Sequence, residues 1–223
     1  MTETAWLPLF PLGSVLFPGM LLPLHIFEPR YRLLLQRSVR NDEPFGIVLI
    51  RSGAEVGGRA EPHRIGTTAR VVGTTPLPDG RSFIIARGER RFEIEKIDAE
   101  REPYLMGEVR YMDEDDGTDA DALDLADRAA DAFGQYLTGI LATSTDARSG
   151  SPLGELRDGT PADVSYRITG GLGIDAMERQ RLLETERTAT RLESVISLLE
   201  RENTLLKELL LRLRARGEAP PLN

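Results

Sequence analysis

The chain has 223 residues, of which 40% are hydrophobic and 29% charged, a composition typical of one large or two small globular domains. It contains no cysteine, which excludes disulfides, thiolate metal sites and cysteine nucleophiles. The net charge of −8 is uneven: 15 basic and 14 acidic residues give +1 over residues 1–112, whereas 13 and 22 give −9 over residues 113–223. This change in charge predicts two parts.

The first feature along the chain is an uncharged run of 21 residues from Leu7 to Phe27. It is long enough to span a membrane, but it holds four prolines, and each interior proline removes a helical hydrogen bond. The opening "MTETAW" has no basic residue of the kind that starts an export signal. We therefore predict a cytoplasmic protein in which "WLPLF", "SVLF" and "MLLPLHIF" are buried strands, separated by turns at Pro11–Gly13 and Pro18–Gly19.

Short apolar or alternating segments continue as far as residue 112. One helix interrupts them, beginning at Pro29 in the favoured first helical position. The other segments, at 45–50, 68–75, 81–88, 90–97 and 104–112, have the length and pattern of strands, and "PDG" at 78–80 predicts a turn between two of them. Residues 1–112 are thus predicted to form a mostly antiparallel β-barrel.

The pattern becomes helical after the acidic stretch "DEDDGTDAD". We predict an acidic linker over residues 113–121, an α-helical subdomain over 122–216 with a long C-terminal helix, and a flexible tail over 217–223. Pro161 marks the start of one of these helices. The fold class that follows is α+β.

The last helix carries apolar residues at heptad spacing, with one asparagine among them: Leu192, Ile196, Leu199, Asn203, Leu206, Leu210 and Leu213. A single asparagine in such a seam fixes the register of parallel dimers, so the helix is a candidate homodimer contact. However, Val195 and Leu198 widen the apolar stripe, which is typical of a helix packed within its own chain. The monomer is the favoured state.

No catalytic constellation is present in the sequence. Neither lysine, Lys96 or Lys207, follows a glycine, so there is no P-loop, and Gly-x-Ser-x-Gly is absent. The two histidines, His25 and His63, lack metal-ligand spacing, and the position of His25 in the uncharged run predicts burial. We expect no enzyme activity, no cofactor and no metal.

Three stretches together resemble the N-terminal substrate-binding domain of Lon ATP-dependent proteases. They are "LPLFPLGSVLFPGMLLPLHIFEPRYRLLLQ", then "IGTTARVV" with "LPDGRSFIIARGERRFEI", and finally "RQRLLETERTATRLESVISLLERE". The resemblance implies a six-stranded PUA-like barrel followed by a helical bundle. The AAA+ ATPase and the Ser-Lys peptidase of full-length Lon are absent, so the expectation is a stand-alone Lon-type substrate-binding protein without proteolytic activity.

The resemblance also implies a function, which is to capture exposed apolar segments of unfolded or tagged proteins as an adaptor or holdase. A separate ATP-dependent protease or chaperone would be its partner. The candidate contact surface is the turn after the second predicted strand and the start of the helix, comprising Phe17, Pro18, Met20, Leu21 and Tyr31. Met20 suits such a surface because its flexible side chain adapts to different partners.

The alternative is a PUA-like barrel that binds RNA or a small ligand. Arg87, Arg90 and Arg91 cluster near Phe92, and arginines beside an aromatic ring can contact phosphate and stack on bases. The acidic pI of about 5.0 opposes nucleic-acid binding.

Overall fold

The computed structural model describes residues 4–55, 57, 60–143 and 156–215. Within these ranges the chain forms seven strands and five helices. The strands are β1 Thr4–Leu12, β2 Leu21–Ile26, β3 Phe45–Ser52, β4 Glu61–Pro62, β5 Ile65–Pro76, β6 Ser82–Asp98 and β7 Leu105–Tyr111. The helices are α1 Pro29–Asn41, α2 Ala120–Thr143, α3 Pro161–Gly171, α4 Ala176–Glu184 and α5 Thr188–Ala215.

The chain divides into two compact units. The first comprises Met1–Glu114 and Gly173–Glu184, and the second comprises Asp115–Leu172 and Thr185–Asn223. The first unit contains all seven strands together with α1 and α4, and the second contains α2, α3 and α5.

The first unit is a barrel. Antiparallel pairing joins β1 to β7, β7 to β6, β6 to β5 and β5 to β3, and a parallel pairing of β1 with β3 closes the ring. The two remaining strands are attached outside this ring, β2 to β6 and β4 to β3. Ring closure leaves no unpaired edge, so free edges occur only where a strand extends beyond the ring or is added to it.

The length of β6 creates such an extension. The second half of β6 pairs with β7, whereas its first half, residues 82–87, pairs with β2 on the same side. On the other side, residues 70–76 of β5 continue along residues 82–87 of β6. We call this three-stranded region, made of β2, residues 82–87 of β6 and residues 70–76 of β5, the extension sheet.

The core of the barrel brings β3, β5 and β6 into close contact. Gly46 and Gly66 lie against the ring of Phe92, so close that a Cβ at either position would lie under 3.0 Å from its atoms. Tyr31, Leu34 and Leu35 of helix α1 pack in one buried cluster with strand residues such as Phe10, Phe45 and Ile84, which we call the barrel cluster. The ring centroids of Tyr31 and Phe10 are 4.0 Å apart. These contacts hold α1 over the end of the barrel that carries the extension sheet.

Helix α4 belongs to the barrel unit, although it lies within the range predicted as the helical subdomain, residues 122–216. Its Gln180 side chain donates to the Ile65 carbonyl at 3.0 Å. The buried guanidinium of Arg91 donates to the Leu183 carbonyl at 2.9 Å and pairs with Glu114 at 3.0 Å. A buried arginine must find acceptors for its N–H groups, and here the returning chain supplies one of them.

The second unit is a helical bundle with its own buried arginine. Helix α3 starts with a capping box between Thr160 and Asp163, and Pro161 occupies the first turn as predicted. The Arg191 guanidinium lies 4.2 Å from the centroid of the Tyr166 ring and donates to the Ser165 hydroxyl at 2.8 Å.

Two residues of the acidic stretch before α2, Asp115 and Glu114, make specific contacts. The Asp115 carboxylate accepts hydrogen bonds from the backbone N–H groups of Thr188, at 2.8 Å, and Gly117, at 3.1 Å. These bonds, the one from Thr188 above all, lower the pKa of Asp115. Glu114 likewise makes a specific contact, its ion pair with Arg91.

The first half of the uncharged N-terminal run differs from its prediction at the turn and at the second strand. Strand β1 continues through Pro11 to Leu12, and Val15–Phe17 is buried but does not form a strand. The Leu16 carbonyl instead accepts a hydrogen bond from the Thr67 hydroxyl at 2.6 Å. The predicted turn at Pro18–Gly19 is present, with Gly19 at a φ of 76°.

None of the described helices is both long and apolar enough to cross a membrane. The predicted tail over residues 217–223 lies outside the described residues.

Gly88 anchors the turn before β2 and provides a test of the fold. Its N–H donates to the Met20 carbonyl and its carbonyl accepts from the Gly19 N–H, both at 2.9 Å. A Cβ on Gly88 would lie 2.2 Å from the Phe17 carbonyl oxygen. We expect Gly88→Ala to lower the free energy of unfolding by about 1–3 kcal/mol, because backbone atoms must move apart. Urea denaturation measures this loss.

Gly73→Ala is the matched control. A Cβ at Gly73 meets only Ile85 atoms at 3.7 Å or more, which is ordinary contact. This variant should stay within about 1 kcal/mol of the parent protein. Equal losses for the two alanine variants would contradict the close approach at Gly88.

Candidate protein-binding surface

The extension sheet exposes apolar side chains on its outer face. Along β6, Ile84 and Ala86 are buried, whereas the intervening Phe83 and Ile85 are 50% and 44% exposed. On β2, His25 lies opposite Phe83 and Pro23 opposite Ile85. We call the exposed set on these two strands and the residue after β2 the apolar strip: Leu21, Pro23, His25, Phe27, Phe83 and Ile85.

Aromatic stacking orders one end of the apolar strip. The His25 ring stacks on Phe83 with centroids 4.6 Å apart and an interplanar angle of 23°, and Phe27 lies 5.6 Å from His25. His25 is exposed, in contrast to its predicted burial. The reason is that strand alternation directs the side chains at positions 21, 23 and 25 outward. The other end of the strip is formed by Leu21, which is 50% exposed and lies opposite Arg87.

Contiguous exposed apolar side chains of this kind are uncommon and mark interaction sites more often than isolated ones do. Of the strip, only Leu21 is among the contact residues predicted from the sequence. The signal for the rest is "RSFIIARG", in which both alternating faces of the strand are apolar between two arginines.

The structure places the other four predicted surface residues elsewhere. Phe17 is 0% exposed and Tyr31 is 5% exposed, so neither side chain can contact a partner from the surface. Phe17 is buried in the segment between β1 and β2, and Tyr31 packs on Phe10. Pro18 and Met20 are half-buried, and Met20 packs against the barrel core.

A pocket of about 260 Å³ borders β2. Its walls come from Phe10 and Leu12 of β1, from Pro23, Leu24, His25 and Ile26 of β2 and from Phe27, and no described residue of β6 lines it. The carboxylates of Glu28 and Glu55 also line the pocket, as does Tyr31. The pocket therefore lies along β2 on the side that is not paired with β6.

Burial raises the pKa of Tyr31 to about 12, although the nearby Arg30 acts in the opposite direction. The Arg30 guanidinium lies 4.5 Å from the centroid of the Tyr31 ring and pairs with Glu28 at 3.0 Å. The neutral phenol is thus favoured in the folded protein.

The structure removes two members of the cluster considered for RNA. Phe92 is completely buried and cannot stack on a base, and Arg91 is buried with Glu114 and Leu183 as partners. Arg90 packs its guanidinium over the ring of Tyr111 at 4.3 Å. Arg87 is exposed, at the end of the apolar strip.

A second pocket, of about 610 Å³, lies beside β4 and the second half of β6. Its charged lining is balanced, with Arg51, Arg64 and Lys96 facing three glutamates, and His63 lies 3.6 Å from one of them, Glu184. Among the described residues, no group of three histidine or acidic side chains could hold a metal ion.

The first half of the predicted dimer seam packs inside the helical unit. Leu192, Ile196 and Leu199 are buried, and the Asn203 amide donates to the Ala132 carbonyl of α2 at 3.1 Å. Leu206 and Leu210 are half-buried, and the side chain of Leu213 lies outside the described residues. A homodimer through α5 stays a prediction, and these contacts restrict it to the part of the helix after Asn203.

The barrel with its extension sheet and the separate helical bundle define a class of domain that also occurs in known proteins. The family model for the "ATP-dependent protease La (LON) substrate-binding domain" matches residues 6–201. The chain belongs to this family.

Individual relatives agree with this assignment. The chain is 28% identical over 200 residues to a Lon protease of Methylocella silvestris and 28% identical over 211 residues to one of Anaeromyxobacter dehalogenans. These matches cover 87% and 91% of this chain but only 24% of each relative. The chain thus spans about a quarter of the length of these proteases.

Solved structures show the same fold. A Lon N-terminal domain protein from Xanthomonas campestris superposes with a TM-score of 0.65 at 27% identity, covering 86% of this chain and 98% of that one. The N-terminal domain of Lon protease from the Mycobacterium avium complex superposes with a TM-score of 0.68 at 17% identity, covering 88% and 98%.

The raised pKa of Tyr31 predicts a loss of stability at high pH. The folded state holds the phenolic proton more tightly than the unfolded chain, whose tyrosines titrate near 10.0. The stabilisation is therefore complete below pH 10 and is lost as the pH rises towards 12. We expect Tyr31→Phe to flatten the fall in unfolding free energy over this interval in chemical denaturation. Tyr111→Phe, which leaves Tyr31 in place, should retain the steep fall, and equal slopes for both variants would contradict the prediction.

Because Leu199 is buried within the helical unit, its truncation should destabilise the protein equally at any protein concentration. Leu199→Ala should lower the free energy of unfolding by about 2–5 kcal/mol, because it leaves a cavity within the helical bundle. Thermal unfolding at two concentrations that differ tenfold measures this loss. A destabilisation that changes with concentration would instead place Leu199 in a contact between chains.

Proposed function

We propose that this chain is a non-catalytic protein-binding module, which captures exposed apolar segments of unfolded or tagged proteins on the apolar strip. The observation that carries the proposal is the continuity of exposed apolar side chains across two paired strands, from Leu21 to Phe83. Membership of the Lon substrate-binding family supports it, because the matched domain is described by that role.

The strip has the energetics of a reversible binder. Complete burial of a leucine, isoleucine or phenylalanine side chain stabilises a complex by about 1.5–3 kcal/mol, so covering a half-exposed one contributes about half as much. Leu21, Phe27, Phe83 and Ile85 are each 43–50% exposed. Their combined contribution is offset in part by the loss of translational and rotational freedom on association. The outcome is weak binding that depends on apolar area more than on sequence, which suits a module with many clients.

Lon proteases in other organisms contain a region similar to this chain, and the chain spans about a quarter of their length. We therefore extend the proposal to an adaptor or holdase in the cytoplasm, which presents clients to an ATP-dependent protease or chaperone. The strip lies on paired strands, so the surface is formed before a client arrives and little ordering is needed on binding.

Two isoleucines on the same strand provide the test. Ile85 in the apolar strip is 44% exposed, and Ile97, at the other end of β6, is 45% exposed. We expect Ile85→Gln to weaken binding of a fluorescent apolar peptide about fivefold in anisotropy titrations, because about 1 kcal/mol of apolar burial is lost. Ile97→Gln should bind within about twofold of the parent protein, because it removes a matched side chain outside the strip.

Equal weakening by the two glutamine variants would contradict binding at the strip. Absence of any binding by the parent protein at high micromolar concentration would contradict capture of apolar segments altogether. Thermal unfolding of both variants controls for loss of structure, and it should show similar stabilities because both side chains are about half-exposed.

A further inference from the structure

We infer that the client segment is captured in extended form, as an additional β-strand along the free edge of β2. The inference rests on the proposed function and specifies how the client is held. The occupant is a polypeptide segment with apolar side chains at consecutive positions, as occurs in the interior strands of a protein that has lost its fold.

The hydrogen-bond pattern of β2 identifies its free edge. In an antiparallel pair, residues alternate between those that bond to the partner strand and those that direct N–H and C=O away from it. The Gly88 N–H donates to the Met20 carbonyl, and Leu21 lies opposite Arg87. The alternation therefore assigns Leu22, Leu24 and Ile26 to bonding with β6, and it directs the backbone groups of Leu21, Pro23 and His25 to the opposite edge.

Pro23 agrees with this assignment. Proline has no N–H and is tolerated in a sheet where its nitrogen faces an unpaired edge. Across the described part of the chain, Leu21, Pro23 and His25 have no backbone hydrogen bond outside their own strand pairing. The edge thus offers two N–H groups and three carbonyls to an added strand.

Apolar side chains border this edge on both faces of the sheet, and they decide the chemistry of the occupant. An added strand directs alternate side chains to opposite faces of the sheet. One set would continue the apolar strip next to Leu21, Pro23 and Phe27. The other set would enter the 260 Å³ pocket, which Phe10, Leu12, Leu24 and Ile26 line together with Pro23, His25 and Phe27 of the strip and the carboxylates of Glu28 and Glu55.

Leu22 and Leu24 show that the pocket side is open. Both alternate with the outward residues of β2 and pack against the barrel cluster, yet both remain only partly buried. An amphipathic segment from a folded surface could satisfy only one face, whereas a segment that is apolar at consecutive positions satisfies both. This requirement selects unfolded chains over folded ones.

The other edge of the extension sheet is protected against strand addition. Residues 70–76 of β5 contain a bulge at Val72 and end at Pro76. Arg70, at the start of this segment, pairs with Asp42 at 2.8 Å, which places charged side chains there. Bulges, prolines and charges are the devices by which proteins block edge pairing.

Backbone N-methylation of a client peptide tests the inference. The probe is a fluorescent peptide that alternates tryptophan and valine over seven residues, with lysines at one end for solubility. A slip of one residue would move tryptophan into the small pocket, so the side chains fix which face of the peptide strand lies on the pocket. Each residue is methylated in turn, and the affinity for the intact protein is measured by anisotropy.

We expect a period of two along the peptide. Methylation at every second residue should weaken binding at least tenfold, because those N–H groups donate to the carbonyls of Leu21, Pro23 and His25. Methylation at the intervening residues should change affinity less than twofold. A flat profile, or one with a helical period, would overturn the inference.

This experiment distinguishes a failure of strand addition at β2 from a failure of binding at the apolar strip. If the unmethylated peptide binds, Ile85→Gln weakens that binding and the methylation profile is flat, the apolar strip is the site and strand addition is excluded. If the unmethylated peptide does not bind at all, both proposals fail. A two-residue period that Leu21→Gln leaves unaffected would place strand addition at another edge and would overturn the inference for β2.

Discussion

The architecture of the barrel unit depends on one strand that serves two neighbours on the same side. β6 is 17 residues long, and β7 occupies one half of that side and β2 the other. Because the ring closes through the β7 half alone, the β2 half extends past the closed barrel as a three-stranded sheet. Such a sheet has one face on the core and one without any described cover. The apolar strip and the pocket beside β2 both result from this arrangement.

Much of the fold follows from local sequence signals. Prolines exclude a membrane helix from the N-terminal run, Pro29 and Pro161 mark helix starts, and turn residues separate the strands. The apolar strip does not follow in the same way. A strand that is apolar on both faces is typical of a buried strand, and an uncovered binding strand has the same pattern. Hydrophobic alternation indicates what a side chain prefers and not what lies above it. Phe17 is predicted at the surface because it adjoins a turn, and it is buried, whereas Phe83 and Ile85 of an apolar strand are half-exposed.

The division into units illustrates a different limit. The charge balance changes near residue 113, and the first part of the barrel unit ends at Glu114. Residues 173–184 belong to the barrel unit, where they supply an acceptor to a buried guanidinium. Arg91 accepts burial only where its N–H groups find acceptors, and one of these is a carbonyl 92 residues away along the chain. Composition and periodicity contain no information about such a partner, because any backbone carbonyl can accept.

Pro23 affects how two copies of the chain could pair through the free edge of β2. Two copies that met through their β2 edges with two-fold symmetry would place Pro23 opposite Pro23 at the centre. Neither proline has an N–H, so the central pair would form no hydrogen bond and the ladder would be interrupted at its midpoint. A client strand with ordinary residues loses only one donor at the same position. A single imino acid thus penalises self-pairing twice as heavily as the proposed client pairing. This difference disfavours fibres that would grow through the free edge of β2.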